Sequence, residues 1–284
     1  MSSKVYMVTG ATSGIGKALA TQLAKTGEIV VMVGRDLERG NAVQQEISRK
    51  TQNWNVDLQL CDLSNMSSVH NLASVVKLKY NRIDALVNNA GLYTRKRETT
   101  VDGYEKMFAA NHLGPFLLTN LLLDALMASG SGRILNVTAP STTELHFDDL
   151  QGERKFNSLT SFGATKMANL LFTLELARRL EGSPVTVNAI HPGLVRSGLM
   201  KQAVAPIRWI TRLISSTPEK AVADMVQLVT APDYENVSGK FFHHGKEIEI
   251  PAYAGNRENQ QRLWEVSEKL TDLSRIPSLS ESDH

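Results

Sequence analysis

One octapeptide near the amino end restricts this chain more than any other segment. Thr9-Gly10-Ala11-Thr12-Ser13-Gly14-Ile15-Gly16 lies between the apolar run Val5–Val8 and a helical pattern of Ile15, Leu19 and Leu23. Glycines let a backbone turn tightly and approach a ligand closely. A helix starting on such a turn aims unsatisfied N–H groups, and the positive end of its dipole, at whatever sits there. The combination suits a dinucleotide pyrophosphate, with Gly10, Thr12, Ser13, Gly14, Ile15 and Gly16 as the expected contacts. The spacing is Gly-x-x-x-Gly-x-Gly rather than Gly-x-Gly-x-x-Gly. Three glycines also occur in purely structural turns, but the flanking strand and helix favour the ligand.

The same strand–helix order continues along the chain. Ile29–Val33, Val56–Leu60, Ala85–Val87, Ile134–Val137 and Thr186–Ile190 read as further strands, and Lys240–Phe242 as a short last one. Helical patterns over 65–80, 103–128, 158–181 and 218–231 separate them. Alternation of this kind predicts an α/β fold, a doubly wound parallel sheet with helices on both faces. At 284 residues the chain suits one large core, so 1–284 reads as a single Rossmann-type domain without repeats or a linker. The less regular stretch 196–217, with Ile207, Trp209, Ile210 and Leu213, reads as a substrate lid or as an ordinary packed helix, and the polar tail from Pro277 is expected to fray.

Composition removes several classes of function. A net charge of +2 provides no nucleic-acid surface. No apolar run is long enough for a membrane span. Cys61 is the only cysteine, and polar Met1–Lys4 runs directly into the first strand, so a reducing, cytoplasmic setting is expected. His243-His244 has no further ligands in view, and no metal is expected.

Two further segments bear on the dinucleotide. The second strand ends in Val33-Gly34-Arg35-Asp36. An acidic residue there bonds a ribose 2′-hydroxyl, whereas an arginine accommodates a 2′-phosphate. Arg35, with Lys17 adding charge nearby, favours NADP(H). Asp36 is either an acidic ribose reader or a helix N-cap. Asn88-Asn89-Ala90-Gly91 follows the fourth strand, at the carboxyl edge of the sheet where ligands bind.

Asp62-Leu63, Asn88–Gly91, Asn111-His112-Leu113-Gly114, Lys166-Met167-Ala168-Asn169 and His191-Pro192-Gly193 stand in one order along the chain. In that order they resemble the short-chain dehydrogenase/reductases, and the runs Asn111–Thr119, Ala168–Leu180 and Val185–Arg196 resemble the retinol-dehydrogenase-like branch. The resemblance spans roughly Lys4 to Phe242. It implies a strand order 3-2-1-4-5-6-7 and a homodimer or homotetramer built on the helices around 103–128 and 158–181. Leu117–Leu123, an apolar run wider than one buried stripe, also points to a partner. The resemblance further implies that Asp62 and Leu63 flank the adenine, that Asn89, Ala90 and Gly91 line the ribose, and that Pro192, Gly193, Val195 and Ser197 surround the nicotinamide. The implied substrate is a small apolar carbonyl or alcohol.

The family's chemistry uses an Asn-Ser-Tyr-Lys set, with tyrosine and lysine in Tyr-x-x-x-Lys so that both share one helix face. Tyrosine exchanges a proton with the substrate oxygen, serine holds that oxygen, lysine binds the ribose and lowers the tyrosine pKa, and asparagine positions a water. This chain reads Phe162-Gly163-Ala164-Thr165-Lys166, and Asn136-Val137-Thr138-Ala139 where the serine segment belongs. Asn111 and Lys166 are present, and Ala139 and Phe162 stand where both hydroxyls are expected. Three readings follow: a catalytically inactivated oxidoreductase, an NADP(H)-binding protein without redox turnover, or a catalyst of a non-redox reaction such as a cyclisation. Thr138, Ser141 and His146 are nearby polar side chains for the last of these.

Overall fold

The fold is that of a computed structural model that describes residues 3–193 and 221–273. The expected lid over 196–217, Val195, Ser197 and the tail from Pro277 lie outside the described residues.

β1 (Val5–Thr9), β2 (Ile29–Gly34), β3 (Val56–Leu60), β4 (Ala85–Asn88), β5 (Gly132–Val137), β6 (Val185–His191), β7 (Phe241–His243) and β8 (Lys246–Glu247) form one sheet in the order β3-β2-β1-β4-β5-β6-β7-β8. The first seven run parallel, as the alternation and the resemblance imply, and the two-residue β8 adds an antiparallel edge on β7. Every residue of β1, β4 and β5 is buried, because helices cover both faces.

α1 (Gly14–Ala24) and α2 (Leu37–Thr51) cover one face, joined by the helix Ala223–Thr230, around Leu19, Leu23, Met32 and Ile47. α3 (Met66–Lys79), α5 (Gly114–Leu121) and α7 (Ser158–Arg179) cover the other, around Met7, Leu86, Phe116 and Phe172. The chain winds outward from β1 to β3 and then crosses back to place β4 beside β1. Ligands bind at such a switch point, outside the carboxyl ends of the strands. The turns after β1 and β4 meet there.

The helix expected over 103–128 is segmented. α4 (Lys106–Phe108) leads into a π-helical turn, Ala109–Leu113, then α5, then α6 (Leu123–Met127). The wide turn holds Asn111, and π turns of this kind recur at functional sites.

Two long helices among the described residues escaped the sequence reading. α2 buries only Gly40, Val43, Ile47 and Ser48, too few apolar positions to give a clear period. The helix Arg257–Leu270 buries Gln260, Leu263, Trp264 and Ser267; it lies on α7 and reaches α5 through Phe116. Trp264 packs 4.9 Å from Phe116 between ring centroids, and the Arg179 guanidinium lies 4.1 Å over its ring. This changes the footing of the expected homodimer or homotetramer. Leu117, Leu118 and Leu122 are fully buried within the chain, and part of the α5–α7 face is already covered by the chain's own helix. The apolar surplus of Leu117–Leu123 is used internally.

His112, inside the π turn, is wholly enclosed among Phe108, Phe116 and Phe172, with Nε2 2.8 Å from Ser267 Oγ. Burial disfavours the imidazolium and pulls its pKa from 6.5 down to about 4. Between those values the unfolded chain takes up a proton that the fold refuses. The stability tied to neutral His112 is therefore complete above pH 6.5 and lost as pH falls toward 4. Urea midpoints at pH 7 and pH 5 measure this. His112→Gln should lose less stability over that interval than the parent, by roughly 2 kcal/mol.

Candidate active site

The glycine turn is built by close backbone approach. A Cβ on Gly16 would lie 2.3 Å from the Gly10 carbonyl oxygen and 2.5 Å from Asn89 Nδ2. A Cβ on Gly10 would lie 2.9 Å from Ala90 Cα, and Gly10 and Gly14 both take positive φ. Thr9 Oγ1 accepts from the backbone N–H groups of Asn89 and Ala90 at 3.0 Å each, and Asn89 Nδ2 donates to the Thr9 carbonyl at 2.8 Å. The turns after β1 and β4 are thereby fastened into one floor. Ser13 occupies the N-cap of α1 with no side-chain cap bond, so its hydroxyl leaves the first-turn N–H groups uncapped.

At the end of β2, Arg35 is exposed and has no hydrogen-bond or ionic partner among the described residues. Asp36 caps α2, its Oδ1 accepting from Arg39 N at 2.9 Å. Lys17 does not add free charge to the turn: its Nζ pairs with Glu46 at 2.6 Å. Asp62, exposed after β3, accepts from the Ser64 N–H and hydroxyl, while Leu63 is buried with its carbonyl against Gly114.

Asn111 is fully buried with its amide committed. Oδ1 accepts from Leu92 N at 2.7 Å, and Nδ2 donates to the Leu92 carbonyl at 3.0 Å and to Thr165 Oγ1 at 3.1 Å. The side chain therefore clamps the segment after Gly91 to α7. The structure gives this amide a bracing role.

Lys166 points back from α7 to the end of β5, with Nζ 3.4 Å from the Val137 carbonyl and 5.5 Å from the Phe162 ring centroid. Burial lowers its pKa from 10.5 to about 8. A Cβ added to Gly91 would lie 3.7 Å from both Lys166 Nζ and Asn111 Oδ1, so these three positions converge. Thr138, the residue after β5, donates to the Lys166 carbonyl at 2.6 Å, and Ala139 follows it half-buried. Phe162 is half-buried on α7, one turn before Lys166. Ser141 accepts from Thr143 N, and His146 is exposed.

His191, Pro192 and Gly193 close the far side. Gly193 takes φ +79°, and the rings of His191 and His243 stack at 4.6 Å, with His243 and His244 at 3.9 Å. Sequence reading had the histidine pair but not its contact with His191, which only the β6–β7 pairing brings about. Among the described residues no group of histidine, cysteine, aspartate or glutamate has the arrangement of a metal site.

A doubly wound sheet of this order, with a glycine turn against an Asn-Asn-Ala-Gly turn and a buried lysine beside them, defines a nicotinamide-dinucleotide-binding oxidoreductase fold. The chain belongs to the short chain dehydrogenase family, whose model matches residues 4–207. Human retinol dehydrogenase 13 is 39% identical over 292 residues, covering 98% of this chain and 87% of the relative. Human retinol dehydrogenase 11 is 38% identical, covering 95% and 86%. Among solved structures, an uncharacterized protein from Mycobacterium Paratuberculosis matches with TM-score 0.76 and 28% identity over 95% of this chain and 93% of that one. A short chain dehydrogenase from Burkholderia cenocepacia, solved in complex with NADP, shares the fold with TM-score 0.68 at 23% identity, over 84% of this chain and 95% of that one. The chain is thus a retinol-dehydrogenase-like member of an oxidoreductase family. Among the described residues no helix is long and apolar enough to cross a membrane.

Proposed function

We propose that this chain binds NADP(H) as a short-chain oxidoreductase of small apolar carbonyls or alcohols, in a form nearly silent in hydride transfer. The observation that carries this reading is the pairing of an intact dinucleotide floor with Ala139 and Phe162 beside Lys166. Gly10, Thr12, Ser13, Gly14, Ile15 and Gly16 would take the pyrophosphate, and the uncapped start of α1 supports this. Arg35 would hold a 2′-phosphate, Asp62 and Leu63 the adenine, Asn89, Ala90, Gly91 and Lys166 the ribose, and Pro192 and Gly193 the nicotinamide, with Val195 and Ser197 completing that end. When bound, the nicotinamide supplies a hydride or accepts one. The chain's own part is to orient the substrate and move a proton at its oxygen. Neither Ala139 nor Phe162 carries a proton to move, so binding is retained and turnover is not. The same floor serves a protein that only binds NADP(H). A cytoplasmic location belongs to this reading and rests on Cys61, a single, buried and unpaired cysteine.

Calorimetric titration tests the cofactor. NADPH should bind roughly 10-fold or more tightly than NADH, since a hydrogen bond to a charged group is worth about 1.5–3 kcal/mol. Arg35→Ala should abolish the difference. Equal or tighter binding of NADH by the parent would return Asp36 to the role of ribose reader.

A further inference from the structure

Hydroxyls are absent at 139 and 162, yet a phenol stands against Phe162. Tyr93 follows directly on Leu92, the residue whose N–H and carbonyl are both held by Asn111. Its ring meets Phe162 edge-on, with centroids 5.8 Å apart and planes at 78°, and its Oη donates to Ser158 Oγ at 2.8 Å. Ser158 and Phe162 are four residues apart on α7, so they share a face, separated by about 6 Å of helical rise. The hydroxyl pair therefore sits one turn along α7 from the position where the family's tyrosine would act.

Asn157 caps α7, accepting from Leu159 N and Thr160 N, so Ser158 is not required as a cap. Tyr93 gives its proton to Ser158, and the Ser158 proton has no acceptor among the described residues. By contrast, Tyr80 bonds Asp57, Tyr104 the Leu270 carbonyl and Tyr253 the backbone of Leu145, all away from Phe162. A serine hydroxyl with its oxygen held and its proton unassigned is a directed donor.

We propose that Tyr93 and Ser158 form a specificity-determining anchor for a second oxygen of the substrate. Ser158 donates to that oxygen, and Tyr93 fixes the serine through the clamp on Leu92. The substrate class is a carbonyl compound or alcohol bearing another carbonyl or hydroxyl about 6 Å from the reacting oxygen. This rests on the reading that places the reacting oxygen between Ala139 and Phe162. It narrows the substrate from a plain apolar carbonyl to a dioxygenated one.

The test compares cyclohexane-1,4-dione with cyclohexanone on the NADPH-loaded full chain, with dissociation constants from saturation-transfer NMR. The dione should bind roughly fivefold more tightly, the worth of one neutral hydrogen bond. Tyr93→Phe, which keeps the ring packed on Phe162, and Ser158→Ala should each bring the two ketones to equal affinity. Equal binding by the parent, binding of neither ketone, or a preference that survives both substitutions overturns the anchor. NADPH binding is followed separately by fluorescence. Its failure strikes at the cofactor reading alone, and the ketone comparison is then made on the unloaded chain with the same outcomes.

Discussion

Restoring both hydroxyls, Ala139→Ser together with Phe162→Tyr, raises NADP(H)-dependent turnover by roughly 10²–10⁴-fold over the parent chain. That is the ordinary worth of a positioned proton donor. The new phenol would stand on the ring already packed 5.8 Å from Tyr93, with Lys166 Nζ 5.5 Å from the ring centroid. Ala139 and Phe162 are both half-buried, and the added oxygens are small. Lys166, with its pKa pulled down to about 8, remains largely protonated at neutral pH and would favour the phenolate of its new neighbour. Each single repair should recover much less, because donor and oxyanion partner act on the same oxygen and their effects do not add. Absorbance of the reduced nicotinamide across a panel of aldehydes, ketones and alcohols gives the rate. Turnover at ordinary rates by the parent would show that another group replaces Phe162. A doubly repaired chain that binds NADP(H) but stays inert would favour the binding protein or the non-redox catalyst. Product analysis with the parent would separate those two.

Gly16→Ala should weaken NADP(H) binding roughly 100-fold while leaving the protein folded. Its Cβ would sit 2.3 Å from the Gly10 carbonyl oxygen, a backbone atom that no rotamer change can remove. Relieving the clash means moving the turn away from the Asn89–Ala90 floor, the surface proposed to meet the dinucleotide. Overpacking of this kind costs about 1–3 kcal/mol, and 1.4 kcal/mol is tenfold in affinity. Titration beside a thermal melt distinguishes the site from the fold: the melting point should fall by only a few degrees. Gly27→Ala provides a control of another kind, because no atom lies within 4 Å of the Cβ there and only its φ of +81° is strained. Undiminished cofactor affinity in Gly16→Ala would remove the phosphate role from this turn.

The parallel sheet was legible because buried strands such as Val5–Val8 and Ile29–Val33 are unbroken apolar runs between helical periods. The tight glycine turn was legible for a related reason. Glycines with no room for a Cβ leave a spacing that survives in one dimension. Ionic partners leave no such trace. Lys17 looked like free charge until the fold brought Glu46, 29 residues away, to 2.6 Å. Asp36 was ambiguous because one side chain suits both a ribose and a helix start, and the bond from Arg39 N that shows the cap is invisible in one dimension. Helix Arg257–Leu270 was missed because its buried apolar side chains are only Leu263 and Trp264. Tyr93 was missed because it matters through Phe162 and Ser158, 69 and 65 positions further on, and no local pattern records such a contact.

The helix over α5 and α7 also sets an order of events during synthesis. Tyr104 bonds the Leu270 carbonyl across 166 residues, and His112 meets Ser267 across 155. Contacts of such long range form late, because the loop they close must first exist. On the ribosome, β1 to α3 can assemble while the aromatic patch of Phe116 and Phe172 waits for Trp264. Until residue 270 has emerged, that patch faces water or a chaperone. A chain halted before residue 257 would therefore present Phe116 and Phe172 unshielded, a recognisable flag for degradation rather than a slightly shortened protein.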